Sequence, residues 1–147
     1  MAKDYEIEWY GKQFMVKASR VNRQTLSKAA IMVESYIKHH FTLQGTHRAY
    51  KRGRKLHISS APGRPPAIDT GALRSSVTHE VNASGLDAKV GSDKDRLKRQ
   101  TVGTDVDYGY YLEMGTRRMK PRPWLRPALN ACRSKINRMF QDANRAN

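Results

Sequence analysis

The middle of this chain cannot be helical, whereas both flanks can. From Gln44 to Gly71 no helical period survives, and Ser60-Ala61-Pro62-Gly63-Arg64-Pro65-Pro66 falls inside that stretch. Proline lacks a backbone donor and fixes φ, so this segment must run extended. Before it, Leu26, Ala30, Val33, Ile37 and Phe41 recur every three or four residues, the stripe of an amphipathic helix. After it, Leu125, Leu129, Cys132, Ile136 and Phe140 do the same. The spacing predicts a long helix over about 20–43, capped by Ser19 or Asn22 and stopped near Gly45. A C-terminal helix is predicted over about 123–145, with Pro121, Pro123 and Pro127 around its first turn, where a missing N–H costs little.

The remaining segments alternate. Tyr5, Ile7 and Trp9 take turns with Glu6 and Glu8, Gly11-Lys12 supplies a turn, and Phe14 and Val16 resume the alternation. This predicts an N-terminal hairpin over 5–18. Residues 73–106 read as strands: Ser75–Asn82 around Val77 and Val81, a second at Ala88 and Val90, and a third between Val102 and Val106. A charged excursion, Asp93 to Gln100, separates the last two. Residues 108–114 read as a short helix ended by Gly115. Within the basic, Pro-rich loop 44–71, Leu56 and Ile58 leave room for one hidden strand. Strands cluster apart from helices, so the expected class is α+β: a small antiparallel sheet packed by a long N-terminal helix and a C-terminal helix, with a long extended Pro-rich loop. The 147 residues fit a single domain.

Charge narrows the function. With 28 Lys+Arg against 13 Asp+Glu, the formal net charge is +15, a field that attracts polyanions. The cations gather in two clusters. Arg48, Lys51, Arg52, Arg54, Lys55 and Arg64 form the first, with Tyr50 among them, and are the candidate contacts to DNA or another polyanion. Arg117, Arg118, Lys120, Arg122 and Arg126 form the second, around Trp124. Such clusters neutralise phosphates without reading sequence, and aromatics among them can stack bases. Trp124 opens an apolar stripe, however, which favours a packing anchor.

Enzymatic chemistry finds no footing in the residue pattern. His39 and His40 are adjacent and leave a helix in different directions, so they cannot chelate together. His47, His57 and His79 lie in unrelated contexts. Asp105 and Asp107 share one face of the third strand, where solubility of an edge is the simpler reading than a cation site. Asp69-Thr70-Gly71 reads as a turn or helix cap. Cys132 lies on an apolar stripe, as a core residue rather than a nucleophile, and a single cysteine allows no intramolecular disulfide. No phosphate-cradling glycine spacing occurs. The expectation is a non-enzyme without cofactor or metal. It has no membrane-spanning segment and no signal pattern in Met1–Glu6, and it is made in the cytoplasm.

Two segments carry a resemblance. The first is Ser60-Ala61-Pro62-Gly63-Arg64-Pro65-Pro66-Ala67-Ile68-Asp69-Thr70-Gly71-Ala72-Leu73-Arg74-Ser75-Ser76. The second is Val102-Gly103-Thr104, then Tyr108 to Thr116, then Pro121-Arg122-Pro123-Trp124-Leu125-Arg126-Pro127-Ala128-Leu129. Together they resemble the tail-component, or head–tail joining, proteins of long-tailed bacteriophages, which carry "PGxPPxxDTGxLRxS" and then "VGTxxxYxxxLExGTxxxxxRPFLRPAL". Trp124 stands where that family commonly has phenylalanine. The resemblance implies a structural virion protein of the neck, assembled in the host cytoplasm. It implies a ring of identical subunits, six by the tail symmetry of such phages, around the DNA channel. The implied neighbours are a head-closure or connector protein and a tail terminator or tail tube protein. Genomic DNA would run through the lumen. Pro62, Pro65, Pro66, Asp69, Glu113, Arg117, Arg122 and Trp124 become the candidate subunit or partner interface, with Glu113 and Arg122 suited to pair either within a subunit or across the ring. The alternative is a non-enzymatic, basic nucleic-acid-binding protein.

Overall fold

The computed structural model describes residues 11–96 and 108–146, with side chains from Ala18 onward and Arg52 aside. The architecture is α+β, and its longest element is the helix α1, Gly11–His40. The expected stripe faces inward: Ala30, Val33 and Ile37, with Phe41 just past the helix end, are at most 6% exposed, and Leu26 is half-buried. Its start differs from expectation. Phe14 and Val16 lie inside α1, so the second half of the expected hairpin is helical, and Ser19 and Asn22 are interior rather than caps. A short alternation in a segment with no proline and one glycine fits either period. Docking of the downstream stripe decides for the helix. Tyr5, Ile7 and Trp9 lie outside the described residues, as do Val102–Thr104, Asp105, Val106 and Asp107.

The predicted loop 44–71 contains a hairpin: β1 (Ala49–Arg52) pairs antiparallel with β2 (Lys55–Ile58), with Tyr50 opposite His57 and Lys51 opposite Leu56. Its reversal uses Gly53 at φ +60°. Gly45 does not terminate α1, which ends five residues earlier. It is buried where its N–H donates to the Ile58 carbonyl (3.1 Å). A Cβ there would fall 2.1 Å from the Ser59 carbonyl oxygen, so only glycine fits. The prolines then run extended beside the end of α1. Thr42 N–H donates to Pro66 C=O (3.2 Å), and Ile68 N–H donates to Thr42 C=O (2.8 Å).

Ser75 and Ser76 close a short helix, α2 (Ala72–Ser76), instead of opening a strand. The second hairpin follows: β3 (Val77–Val81) pairs antiparallel with β4 (Ala88–Ser92) through a turn held by Asn82 Oδ1 and by Gly85 at φ +68°. The strands of the described residues thus form two separate two-stranded sheets. The helix α3 (Tyr108–Met114) ends at Gly115, φ +78°, as expected. The final helix is α4 (Leu125–Arg145).

The core lies where α1, α4 and the β3–β4 hairpin meet. Val33, Ile37, Phe41, Val77, Leu112, Trp124, Ala128 and Cys132 form it. The expected α4 stripe faces the core at Leu125, Cys132 and Ile136, with Phe140 half-buried; Leu129 departs from it, 44% exposed, and Ala128 is buried instead at 1%. Ala29 and Ala30 on α1 and Ala128 on α4 are buried as well. Among the described residues, no helix is long and apolar enough to cross a membrane.

Candidate functional site

A cleft of about 660 Å³ opens between the β1–β2 hairpin and the chain on either side of α3. The two motif segments form its walls. Gly63 N–H donates to the Pro121 carbonyl (2.9 Å), and Arg122 Nε donates to the Ser60 carbonyl (2.9 Å). Arg122 is anchored a second time, since its backbone N–H donates to Leu112 C=O (2.7 Å). The Pro-rich segment and the Pro-Arg-Pro segment are therefore one structural unit, although some sixty residues separate Ser60 from Arg122.

The cleft's charge is one-sided. Arg48 approaches from the hairpin, and Arg118, Lys120 and Arg122 from the opposite wall; no acidic residue lines it among the described residues. His47 and His57 add two titratable rings, with Tyr50 packed edge-on against His57 at 5.0 Å between centroids. Pro62, Pro66, Leu112 and Met119 supply an apolar floor. Ser60 is 4% exposed, and its Oγ has no hydrogen-bond partner among the described residues. A buried hydroxyl without a partner is costly. Such a site suits a chain that brings both apolar and anionic groups.

The structure sorts the sequence-derived candidates. Of the six proposed polyanion contacts, Arg48 lines the cleft, whereas Lys51, Arg54, Lys55 and Arg64 are exposed outside it, and the side chain of Arg52 is not described. Pro62 and Pro66 line it, and Pro65 is half-buried beside them. Asp69 faces the hairpin instead, with Oδ1 3.7 Å from His57 Nδ1, while Thr70 Oγ1 accepts the Ala72 N–H at the start of α2 (3.3 Å). Arg117 is exposed at the tip of a tight turn that Thr116 and Met119 close with reciprocal backbone bonds (2.8 and 3.2 Å).

The expected Glu113–Arg122 pair does not form within the subunit. Glu113 caps α4: Oε2 accepts N–H from Trp124 (2.7 Å) and Leu125 (2.9 Å), and Oε1 accepts N–H from Arg126 (3.1 Å). A carboxylate at a helix N-terminus satisfies orphan amides and faces the positive end of the helix dipole. It does so here because Trp124, at the N-cap position, has no capping side chain. Trp124 is likewise no surface contact. It is 6% exposed, packs on Phe41 (5.9 Å between ring centroids) and donates from Nε1 to the Gly109 carbonyl (3.0 Å).

Other titratable groups have structural duties. His39 and His40 each turn Nδ1 to the carbonyl four residues back, Ser35 (2.7 Å) and Tyr36 (2.9 Å), and His40 stacks on Tyr36. Glu34 bridges α1 to β3, bonded to His79 and Lys38 (2.5 Å each). Burial pushes its carboxyl upward, but the hydrogen bonds from His79 and Lys38 outweigh that and hold it below its ordinary value. Burial raises the Cys132 thiol, against a weaker opposing pull from Lys135, so it stays protonated in the core. Among the described residues no group of three His, Cys, Asp or Glu side chains could hold a metal ion.

His47, His57, Ser60, Tyr108 and Met119 were not legible as site residues. The usable signal was the symmetry of Tyr50 and His57 about Gly53, visible only once the hairpin is recognised. Comparison with protein-family models, with curated proteins and with solved structures finds no match for this chain.

Proposed function

We propose that this chain is a non-catalytic assembly subunit of a phage neck, forming a homo-oligomeric ring that joins or completes the tail at the head–tail interface. The observation that carries the reading is the pairing across the cleft. The two segments that resemble the head–tail joining proteins meet through Gly63–Pro121 and Ser60–Arg122, so the residues that carry the resemblance pack as one unit. The exposed apolar side chains agree with a subunit that is completed by neighbours. Tyr110, Tyr111 and Met114 on α3 and Leu129 on α4 are 41–57% exposed, and clustered exposed apolar groups mark interaction surfaces. A virion location and a hexameric ring, with head-closure and tail tube neighbours, belong to this proposal.

The test is reconstitution. The purified chain, added to DNA-filled heads and finished tails made without it, should yield joined particles. Failure to join them, with both partners competent when supplied with native extract, refutes the reading. The cationic walls of the cleft favour one second reading, a nucleic-acid-binding protein. Salt-sensitive binding of the isolated chain to any duplex, without self-assembly, would support it.

A further inference from the structure

We infer that the cleft is the receptor for the N-terminal segment of a second copy of this chain, so that residues 4–10 of one subunit dock between the β1–β2 hairpin and the Arg118–Arg122 wall of the next. The inference rests on the oligomeric reading above and names the contact that would build the oligomer.

Charge is the first argument. The chain is strongly basic, yet Asp4, Glu6 and Glu8 fall within its first ten residues, and no other acidic residue occurs before Glu34. These carboxylates alternate with Tyr5, Ile7 and Trp9. An extended segment with that pattern offers anions on one side and large apolar groups on the other. The cleft offers the complement: Arg48, Arg118, Lys120 and Arg122 at its walls, and Pro62, Pro66 and Met119 at its floor. Ser60 lines the same space, fixed in place by the Arg122 bond to its carbonyl. A phosphate backbone would meet the cations but leave the apolar floor unused.

Reach is the second argument, and it decides between a subunit's own segment and a neighbour's. The 30 residues of α1 rise about 44 Å along the helix. The cleft is built on residues tied to the C-terminal end of α1, through the Thr42–Pro66 and Gly45–Ile58 bonds. The acidic residues precede its N-terminal end. Asp4 lies seven residues before Gly11, a span of at most about 25 Å when extended, and Glu8 is closer still to the helix start. A subunit's own carboxylates therefore cannot reach its own cleft. A neighbour's can, and each subunit then gives one segment and receives one. Such a head-to-tail contact generates a ring when its rotation closes. No new fold is needed, since donor and receptor sit at opposite ends of one rigid helix.

The experiment compares full-length chains by light-scattering mass. The parent chain should form an oligomer. Glu6→Lys/Glu8→Lys and, separately, Arg118→Glu/Lys120→Glu should each weaken self-association by more than about tenfold, since like charges would then meet across the contact. Combining all four substitutions in one chain should restore it. Restoration is a readout that misfolding cannot imitate. A labelled peptide of residues 2–10 should also bind the Glu6→Lys/Glu8→Lys chain and fail to bind the Arg118→Glu/Lys120→Glu chain. Absence of rescue together with absence of peptide binding overturns the inference. So does preferential binding of a DNA oligonucleotide at the cleft, lost on Arg118→Glu/Lys120→Glu while the peptide does not compete. The reconstitution assay above is independent. Joined particles formed by a chain that does not bind the peptide would overturn this contact and leave the neck reading standing. Peptide binding and rescue in a chain that joins nothing would do the reverse.

Discussion

Removing the Glu113 carboxylate should loosen α4 from its cap and cost the fold about 2–3 kcal/mol. The carboxylate accepts three backbone N–H groups, from Trp124, Leu125 and Arg126. Loss of an ordinary N-cap costs about 0.5–2 kcal/mol, and one hydrogen bond to a charged group contributes about 1.5–3 kcal/mol. The three bonds share one acceptor and the Arg126 amide lies at an exposed residue that water can reach, so the sum falls well below three full bonds. The Trp124 amide belongs to a buried residue and recovers less from solvent, which keeps the loss above that of a simple cap. For a chain of this size the midpoint of thermal unfolding should fall by about 5–10 °C in Glu113→Ala. Glu113→Gln keeps an accepting oxygen but loses the charge facing the helix dipole, and should lose about half as much. The assay is urea and thermal unfolding followed by circular dichroism. Glu80→Ala, on the exposed face of β3, serves as a control expected within about 0.5 kcal/mol of the parent. A Glu113→Ala chain as stable as that control would refute the capping role.

Three further outcomes are expected. Gly45→Ala would force a Cβ to within 2.1 Å of the Ser59 carbonyl oxygen; it should cost about 2–3 kcal/mol and increase amide exchange at His47 and Ser59, and unchanged exchange there would contradict the packing described. The Glu34 carboxyl titrates below its ordinary value in the folded chain, so the unfolded chain takes up that proton first as pH falls. The stability Glu34 contributes is full above the ordinary carboxylate range and is lost as pH drops through that range to the lowered folded value. Glu34→Gln should therefore flatten the acid limb of a stability-versus-pH curve, and an unaltered limb would refute the assignment. Cys132, 4% exposed and with its thiol pushed up by burial, should react with iodoacetamide only as fast as the chain unfolds; rapid alkylation of the native protein would show that the core opens there.

The parts of the fold that sequence could show are those whose periodicity has one interpretation. Ala30, Val33, Ile37 and Phe41 are buried as their spacing demands, and Val77 at the start of β3 is fully buried. Where two periods fit, as at Phe14 and Val16, local pattern does not decide, and the helix wins by continuity with the packed stripe. Of the β1–β2 hairpin, the alternation of Leu56 and Ile58 shows β2, whereas β1, Ala49–Arg52, carries Lys51 and Arg52 and no second apolar alternation to mark it. On α4, Leu125, Cys132 and Ile136 meet the core as their spacing demands, and Leu129 alone among the large residues of that stripe is exposed, with the smaller Ala128 buried beside it. The site was half legible. Both basic clusters stand out in the sequence, but which of their members face one another depends on the Ser60–Arg122 and Gly63–Pro121 bonds. Glu113 shows the limit most sharply. Its charge invites an ion pair with Arg122, and only the fold reveals that its carboxylate instead meets the N-terminus of a helix.

The central claim, that this chain joins tails to heads, is tested most directly by electron microscopy of the particles made when its coding sequence is inactivated. The account predicts DNA-filled heads beside separate, finished tails. Normal joined virions would contradict it and return the cationic cleft to nucleic-acid binding.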